Sequence, residues 1–437
     1  MHKITKWGVK LKKASFFITA LLAFSVFTGC SKVNEAVPAE LVLSDTVSVT
    51  SEETTTTTAV TTEETVTETT VPPEHYETVS FSAVGDNLIH SSIYKQAASR
   101  SESGGYDFLY AYRNVTDLVE TADIAVINQE TLICNDKFEP STYPCFNSPV
   151  ALGDFMIKMG FDVFTMANNH TLDKGTDGLS ACLDYWESKG DSVTVAGAYR
   201  NAEDKANIRT NEYNGITFSY LSYTESLNGL SLPSGSELII GDANDIDGVI
   251  ADIKAAKEVS DVCIVALHWG VENSDVISDY QRDYAKKIAE AGADIIIGNH
   301  PHVLRDIEMI EREDGSEALC AYSLGNFISA QSVGQNLIGG VLQFNVTALV
   351  SDSGERSDER PVISDVKLIP IVTHYDTNYA NVRIYKLSDY TPELASSHGV
   401  RAFSKFSYDY IFDVLEKNIN EEYLVLPEKA DEKAGSE

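Results

Sequence analysis

Six stretches of the chain share one pattern: a short apolar run stops at polar residues able to bind metal or move protons. ETVSFSAVGD ends at Asp86, DIAVINQE at Glu130, and FDVFTMANNH at Asn168, Asn169 and His170. DVCIVALHWG, ADIIIGNHPHV and ALCAYSLGNF repeat the pattern and bring in His268, His300, His302 and Asn326. Between them, ALGDFMIKMG, TDGLSACLDYWESKG, DIDGVIADIKAAKE and SDYQRDYAKKIAEAG space their apolar residues as helices do. Short β-rich runs with helices between them predict an α/β domain. GGVLQFNVTAL and SDVKLIPIVTH read as further strands, of antiparallel type. From about residue 388 the pattern turns helical and then runs out in an acidic tail.

In a parallel-rich sheet the strand C-termini share one edge, so these polar residues converge. Carboxylate, amide oxygen and imidazole are the ligands that a Zn, Mn or Fe site uses. Taken singly, each has an ordinary structural reading. Asp86 after Gly85 suits a turn or a helix cap, Asn168-Asn169 suits a turn, and His268 beside Trp269 suits a half-buried ring. His300-Pro301-His302 is harder to assign that way, because it sets two imidazoles in one turn. Repetition at the same kind of strand end argues for a site.

The start of the chain belongs to another category. MHKITKWGVKLKK is basic, ASFFITALLAFSVF is apolar, and FTGC ends at Cys30. This order predicts a lipoprotein signal over residues 1–30, with Cys30 as the lipidated residue, although Phe27 stands where Leu is usual. An ordinary signal peptide or an uncleaved anchor shares the first two features. The apolar run is shorter than the ~20 residues of a spanning helix. Residues 31–77 form a Thr/Glu-rich tract with no apolar pattern, expected to act as an extended linker. The expected location is extracytoplasmic, on a bacterial cell membrane. With Cys30 used, an odd number of the six cysteines remains; Cys134 and Cys145, flanking NDKFEPSTYP, are the candidates for pairing. Formal net charge is −33, and the excess of acid extends through the domain. That argues against a nucleic-acid partner, which needs a basic footprint.

VGDNLIH, INQET, MANNHTLDKG, HWGVE, GNHPHV and YSLGNF together resemble the poly-γ-glutamate capsule-biosynthesis (CapA) family, itself similar to the calcineurin-like metallophosphatases. The resemblance spans about residues 78 to 375. It implies a four-layer α/β/β/α sandwich over 78–387, with a small helical appendage and tail at 388–437. It also implies a centre for one or two divalent transition metals (Mn, Zn or Fe). Asp86 and His302 would bind the first ion, Glu130 would bridge, and Asn169, His268 and His300 would bind the second. His170 would be the proton donor, with Asp173 orienting its ring. Asn168, Arg305 and Asn326 are candidate substrate contacts, and Tyr143, Phe146, Tyr223 and Tyr322 candidate pocket walls. The first motif departs from Asp-x-His: Leu88 stands at the imidazole position, which predicts a weakened first site unless His90 replaces it. The implied function is a hydrolase or transferase of poly-γ-glutamate biosynthesis or release. In it a metal-held hydroxide would attack a phosphoester or a γ-glutamyl amide. Implied partners are the membrane, synthase subunits, and the anionic polymer or its chain end. A non-catalytic polymer-binding or scaffolding subunit is the alternative.

Overall fold

The computed structural model describes residues 74–351 and 356–428. Cys30 and the tether up to residue 73, and with them the lipidation expectation, lie outside the described residues. Two sheets face one another. The first runs, edge to edge, Ala380–Lys386, Val362–Asp376, Ile338–Ser351, Glu74–Asn87, Ile124–Asn128, Val163–Thr165 and Thr194–Ala196, with Asn326–Ile328 beside the end of Glu74–Asn87. The second runs Leu304–Glu311, Glu317–Leu324, Ile295–Asn299, Val262–His268, Ile216–Thr224 and Arg209–Tyr213.

The layering follows from period-two alternation. Along Val262–His268, Val262 and Ile264 join the core between the sheets, while Cys263, Val265 and Leu267 join the outer core. Ile295 and Ile297 point inward and Ile296 outward. The outer cluster is closed by Val249 and Ile253 of the Ile246–Lys257 helix and by Ala285 and Ile288 of Asp279–Ala291. Helices Val150–Lys158 and Gly175–Glu187 supply Leu152, Met156, Leu179 and Trp186 to the main core from the first sheet's side. Strands apolar on both faces demand this double cover. The result is the expected α/β/β/α sandwich.

Two details differ from the sequence expectation. The first strand begins at Glu74, four residues inside the tract assigned to the linker, because Glu74–Val84 pairs antiparallel with residues 341–351. The C-terminal helices, Pro392–Ser397 and Tyr408–Asn418, pack Ala395, Ile411, Phe412 and Leu415 into the main core. Beyond them, Leu424 bridges to Leu368. Among the described residues no helix is long and apolar enough to cross a membrane.

Candidate metal centre

Parallel register sets the strand ends level. Asp86 stands opposite Asn128, and Asn128 opposite Thr165; in the other sheet His268 stands opposite both Thr224 and Asn299. Asp86 and Glu130 therefore reach the edge from the first sheet, and His268, His300 and His302 from the second. At this edge Asp86, Glu130 and His302 bring ligand atoms within 4.8 Å of one another, all three residues being buried. His302 Nδ1 lies 3.0 Å from Asp86 Oδ2 and 3.9 Å from Glu130 Oε2. His268 Nε2 lies 3.8 Å from Glu130 Oε1, 3.1 Å from Asn169 Oδ1 and 3.1 Å from His300 Nδ1.

The backbone is bent to make this arrangement. His300 and His302 have φ of 96° and 60°, a left-handed conformation that costs a non-glycine residue about 1–3 kcal/mol. The His300 N–H donates to Asp86 Oδ2 at 3.3 Å, which helps to hold the turn. Gly85 fits where no other residue would: an added Cβ would lie 1.9 Å from the Gly325 carbonyl. That close approach lets the Asp86 N–H donate to the same oxygen at 3.0 Å.

Both carboxylate oxygens of Glu130 are buried without a hydrogen-bond partner. A bare buried carboxylate is costly unless a cation compensates it. Burial first, and then Asp86, push the Glu130 carboxyl far above its ordinary range. Burial alone would lower His302, but Glu130 and Asp86 outweigh it and raise the ring to about 9. Burial and neighbouring imidazoles hold His268 well below its usual value, and burial takes His300 down to about 4. His268 and His300 are thus kept neutral, while Glu130 and His302 retain protons that a divalent cation would displace; together with Asp86 they are a donor set suited to a transition metal. Asp86, Glu130 and His302 can hold such an ion.

The remaining expected residues divide. His170 reaches the site: its Nε2 lies 3.9 Å from Glu130 Oε1, and its Nδ1 contacts Asp173 at 2.8 Å. Asn168, two residues before His170, is committed to the turn, accepting the His170 N–H at 3.0 Å and donating to the Gln129 carbonyl at 3.1 Å. Asn326 Oδ1 faces His302 Nδ1 at 3.1 Å, and its amide donates to Ser329, Gln331 and the Asn336 carbonyl. It is a buried support for His302 rather than a free substrate contact.

Arg305 is the clearest correction. It is fully buried, and its guanidinium donates to the Ser274 and Val271 carbonyls and to Gln281. It therefore anchors the loop after His268 and offers nothing to a polyanion. Tyr223 and Tyr322 lie in the outer core and donate to Asp252 and Glu308. Cys134 and Cys145 are both free.

Two residues escaped the sequence reading. Asn128 donates to Asp86 Oδ1 at 2.7 Å and lies 3.3 Å from His268 Nδ1, so it orients a ligand in each sheet. Its place at the end of INQE was the available sign. Glu272 of HWGVE contributes negative charge felt by Glu130, His300 and His302.

Residues 80–331 match the family described as "Bacterial capsule synthesis protein PGA_cap". The chain is 32% identical over 277 residues to the PGA biosynthesis protein CapA of Bacillus subtilis, covering 62% of this chain and 68% of that one. It is 25% identical over 285 residues to the capsule biosynthesis protein CapA of Bacillus anthracis, covering 63% and 66%. Among solved structures, a Staphylococcus aureus protein assigned as a 5'-nucleotidase and bound to alpha-ketoglutarate aligns with a TM-score of 0.40 at 16% identity, over 67% of this chain and 54% of that one. The chain thus spans about two-thirds of each Bacillus relative and about half of that structure.

Proposed function

Since the chain belongs to the bacterial capsule synthesis protein PGA_cap family, we propose that it is a metal-dependent hydrolase or transferase acting in the making or release of poly-γ-glutamate. The observation that carries this is Glu130, whose two orphaned oxygens lie among Asp86, His268, His302 and His170. Asp86, Glu130 and His302 would hold one ion, and Asn169, His268 and His300, sharing Glu130, a second. Bound there, a divalent transition metal supplies electrophilic activation of a phosphorus or carbonyl centre.

The chain's own groups do the rest. Asp173 accepts from Nδ1 of His170, which leaves Nε2 turned toward Glu130 and placed to protonate a leaving group. Asn128 and Asn326 orient the groups around Asp86, and Arg305 anchors the loop that carries Glu272, whose charge reaches Glu130, His300 and His302. The acidic surface repels a long polyanion, so a short segment or a chain end is the better substrate. Attachment to the membrane through Cys30, beside synthase subunits, is part of this proposal.

The test is metal content of the purified chain, alongside assays with a chromogenic phosphoester and a γ-glutamyl anilide. One or two equivalents of Mn, Zn or Fe and turnover of either probe are expected. Failure to take up any of these metals on titration would remove the hydrolytic reading. The second reading, a polymer-binding or scaffolding subunit, draws on Leu88, which puts a buried apolar side chain where the related motif has an imidazole.

A further inference from the structure

His90 sits where the chain leaves the first strand, as the residue before the Ser91–Arg100 helix. Ser, Thr, Asp or Asn is usual there, because a short side chain can accept the helix's free N–H groups. The His90 side chain makes no such contact. Its ring turns instead to the segment after Asn326–Ile328, where the Ala330 N–H donates to Nδ1 at 3.2 Å. The Leu88 carbonyl lies 3.1 Å from the same nitrogen, so two tautomers compete. The Ala330 N–H is fixed in direction by the backbone, whereas the Leu88 carbonyl already accepts the His90 N–H at 3.1 Å. A proton on Nδ1 would also point at the Ala330 hydrogen. The ring is therefore neutral, with Nδ1 accepting and the proton on Nε2.

Its surroundings keep it so. Burial, with His302 and His170 nearby, lowers its pKa to about 4, and the positive end of the helix it precedes acts in the same direction. Phe146 stands edge-on between the two histidines, 5.4 Å from His90 at 87° and 4.7 Å from His170 at 83°. The Phe146 N–H donates to Asp173, the carboxylate that holds His170. His90, Phe146, His170 and Asp173 thus form one continuous run of contacts that reaches Glu130 through His170. No hydrogen-bond partner stands at His90 Nε2 among the described residues.

We propose that His90 is a substrate-binding residue of this centre: its Nε2–H donates to an anionic oxygen of the reacting phosphoryl or carbonyl group, across Phe146 from the proton donor His170. The proposal rests on the hydrolytic reading above and replaces the role of metal ligand. An imidazole whose Nδ1 lone pair is taken and whose Nε2 carries the proton has no lone pair left for an ion. A neutral donor also stabilises charge that develops on oxygen without repelling a nearby cation.

Asn and Gln separate the two nitrogens, since the Asn amide oxygen overlays Nδ1 and the Gln amide nitrogen overlays Nε2. His90→Asn keeps the bond from Ala330 and should lower kcat/KM on the order of 10²-fold, with metal content and Tm little changed. His90→Gln should restore part of the loss. Full activity in His90→Asn, or loss of metal with it, overturns the proposal.

A second readout is independent of turnover. In 15N-histidine-labelled protein, the resonance missing from His90→Gln should show the Nε2–H tautomer and should shift when inorganic phosphate is added. An Nδ1–H tautomer, or no shift with phosphate, overturns the proposal. If wild type hydrolyses neither probe, the hydrolytic reading has failed, and the tautomer and phosphate result alone decides on His90.

Discussion

Oδ2 of Asp173 lies 2.8 Å from His170 Nδ1 and accepts the Phe146 N–H at 2.6 Å, so one carboxylate oxygen fixes both the ring and the Phe146 backbone beside it. Asp173→Asn would offer the imidazole a donor or a weaker acceptor and release its tautomer. The expected outcome is a fall in kcat of about 10²-fold or more, with metal content unchanged. Steady-state rates beside elemental analysis check it.

Glu130→Gln keeps the shape of the side chain but removes the charge shared by both groups of ligands. Its metal content should fall to near zero. His302→Ala should lose the ion of the first group, and His268→Ala that of the second. If each single variant loses all metal together, the two groups bind cooperatively through Glu130; elemental analysis of the three variants distinguishes these outcomes.

Arg305→Met should unfold more easily, by about 3 kcal/mol, because it leaves buried carbonyls and Gln281 without their donor. Its affinity for poly-γ-glutamate, scored on the fraction that remains folded, should match wild type. A selective loss of polymer binding with unchanged urea stability would return Arg305 to the role of a substrate contact.

His374 and His398 predict a pH effect away from the centre. His398 accepts the Val400 N–H at Nδ1 and faces the Thr373 carbonyl through Nε2, a wiring that requires a neutral ring. Burial above all lowers His374 to about 4 and His398 to about 3, from an ordinary 6.5. The unfolded chain therefore takes up protons as pH falls through 6.5, while the folded chain does not until about 4. The stabilisation is complete above 6.5 and is lost as the pH drops toward 4. Urea midpoints between pH 7.5 and 4.5 should fall on the acid side, and His398→Phe should flatten that slope relative to its parent.

The parts legible in the sequence were those written locally. An apolar run that stops at Asp86, His268 or His300 marks a buried strand and its end at once, and parallel register then gathers the ends. What stayed hidden depends on distant partners. Arg305 reads as a free charge until the carbonyls of residues 271 and 274 are placed around it. His90 reads as the one candidate to replace the missing imidazole until Ala330, 240 residues on, is found donating to its Nδ1. The substrate-contact roles suggested for Asn168 and Asn326 gave way for the same reason. An amide side chain looks available in a sequence, and only the fold shows that its atoms are already spent.

The ligands come from both sheets: Asp86 and Glu130 from one, His268, His300 and His302 from the other. An ion seated among them would act as a rivet through the seam of the sandwich, adding to the hydrogen bonds that already link Asp86 and Asn128 to His268, His300 and His302 across that edge. Demetallation would then loosen the architecture as well as silence the chemistry. The cell could use the same dependence as quality control, since a copy that failed to acquire its metal would be the copy easiest to degrade.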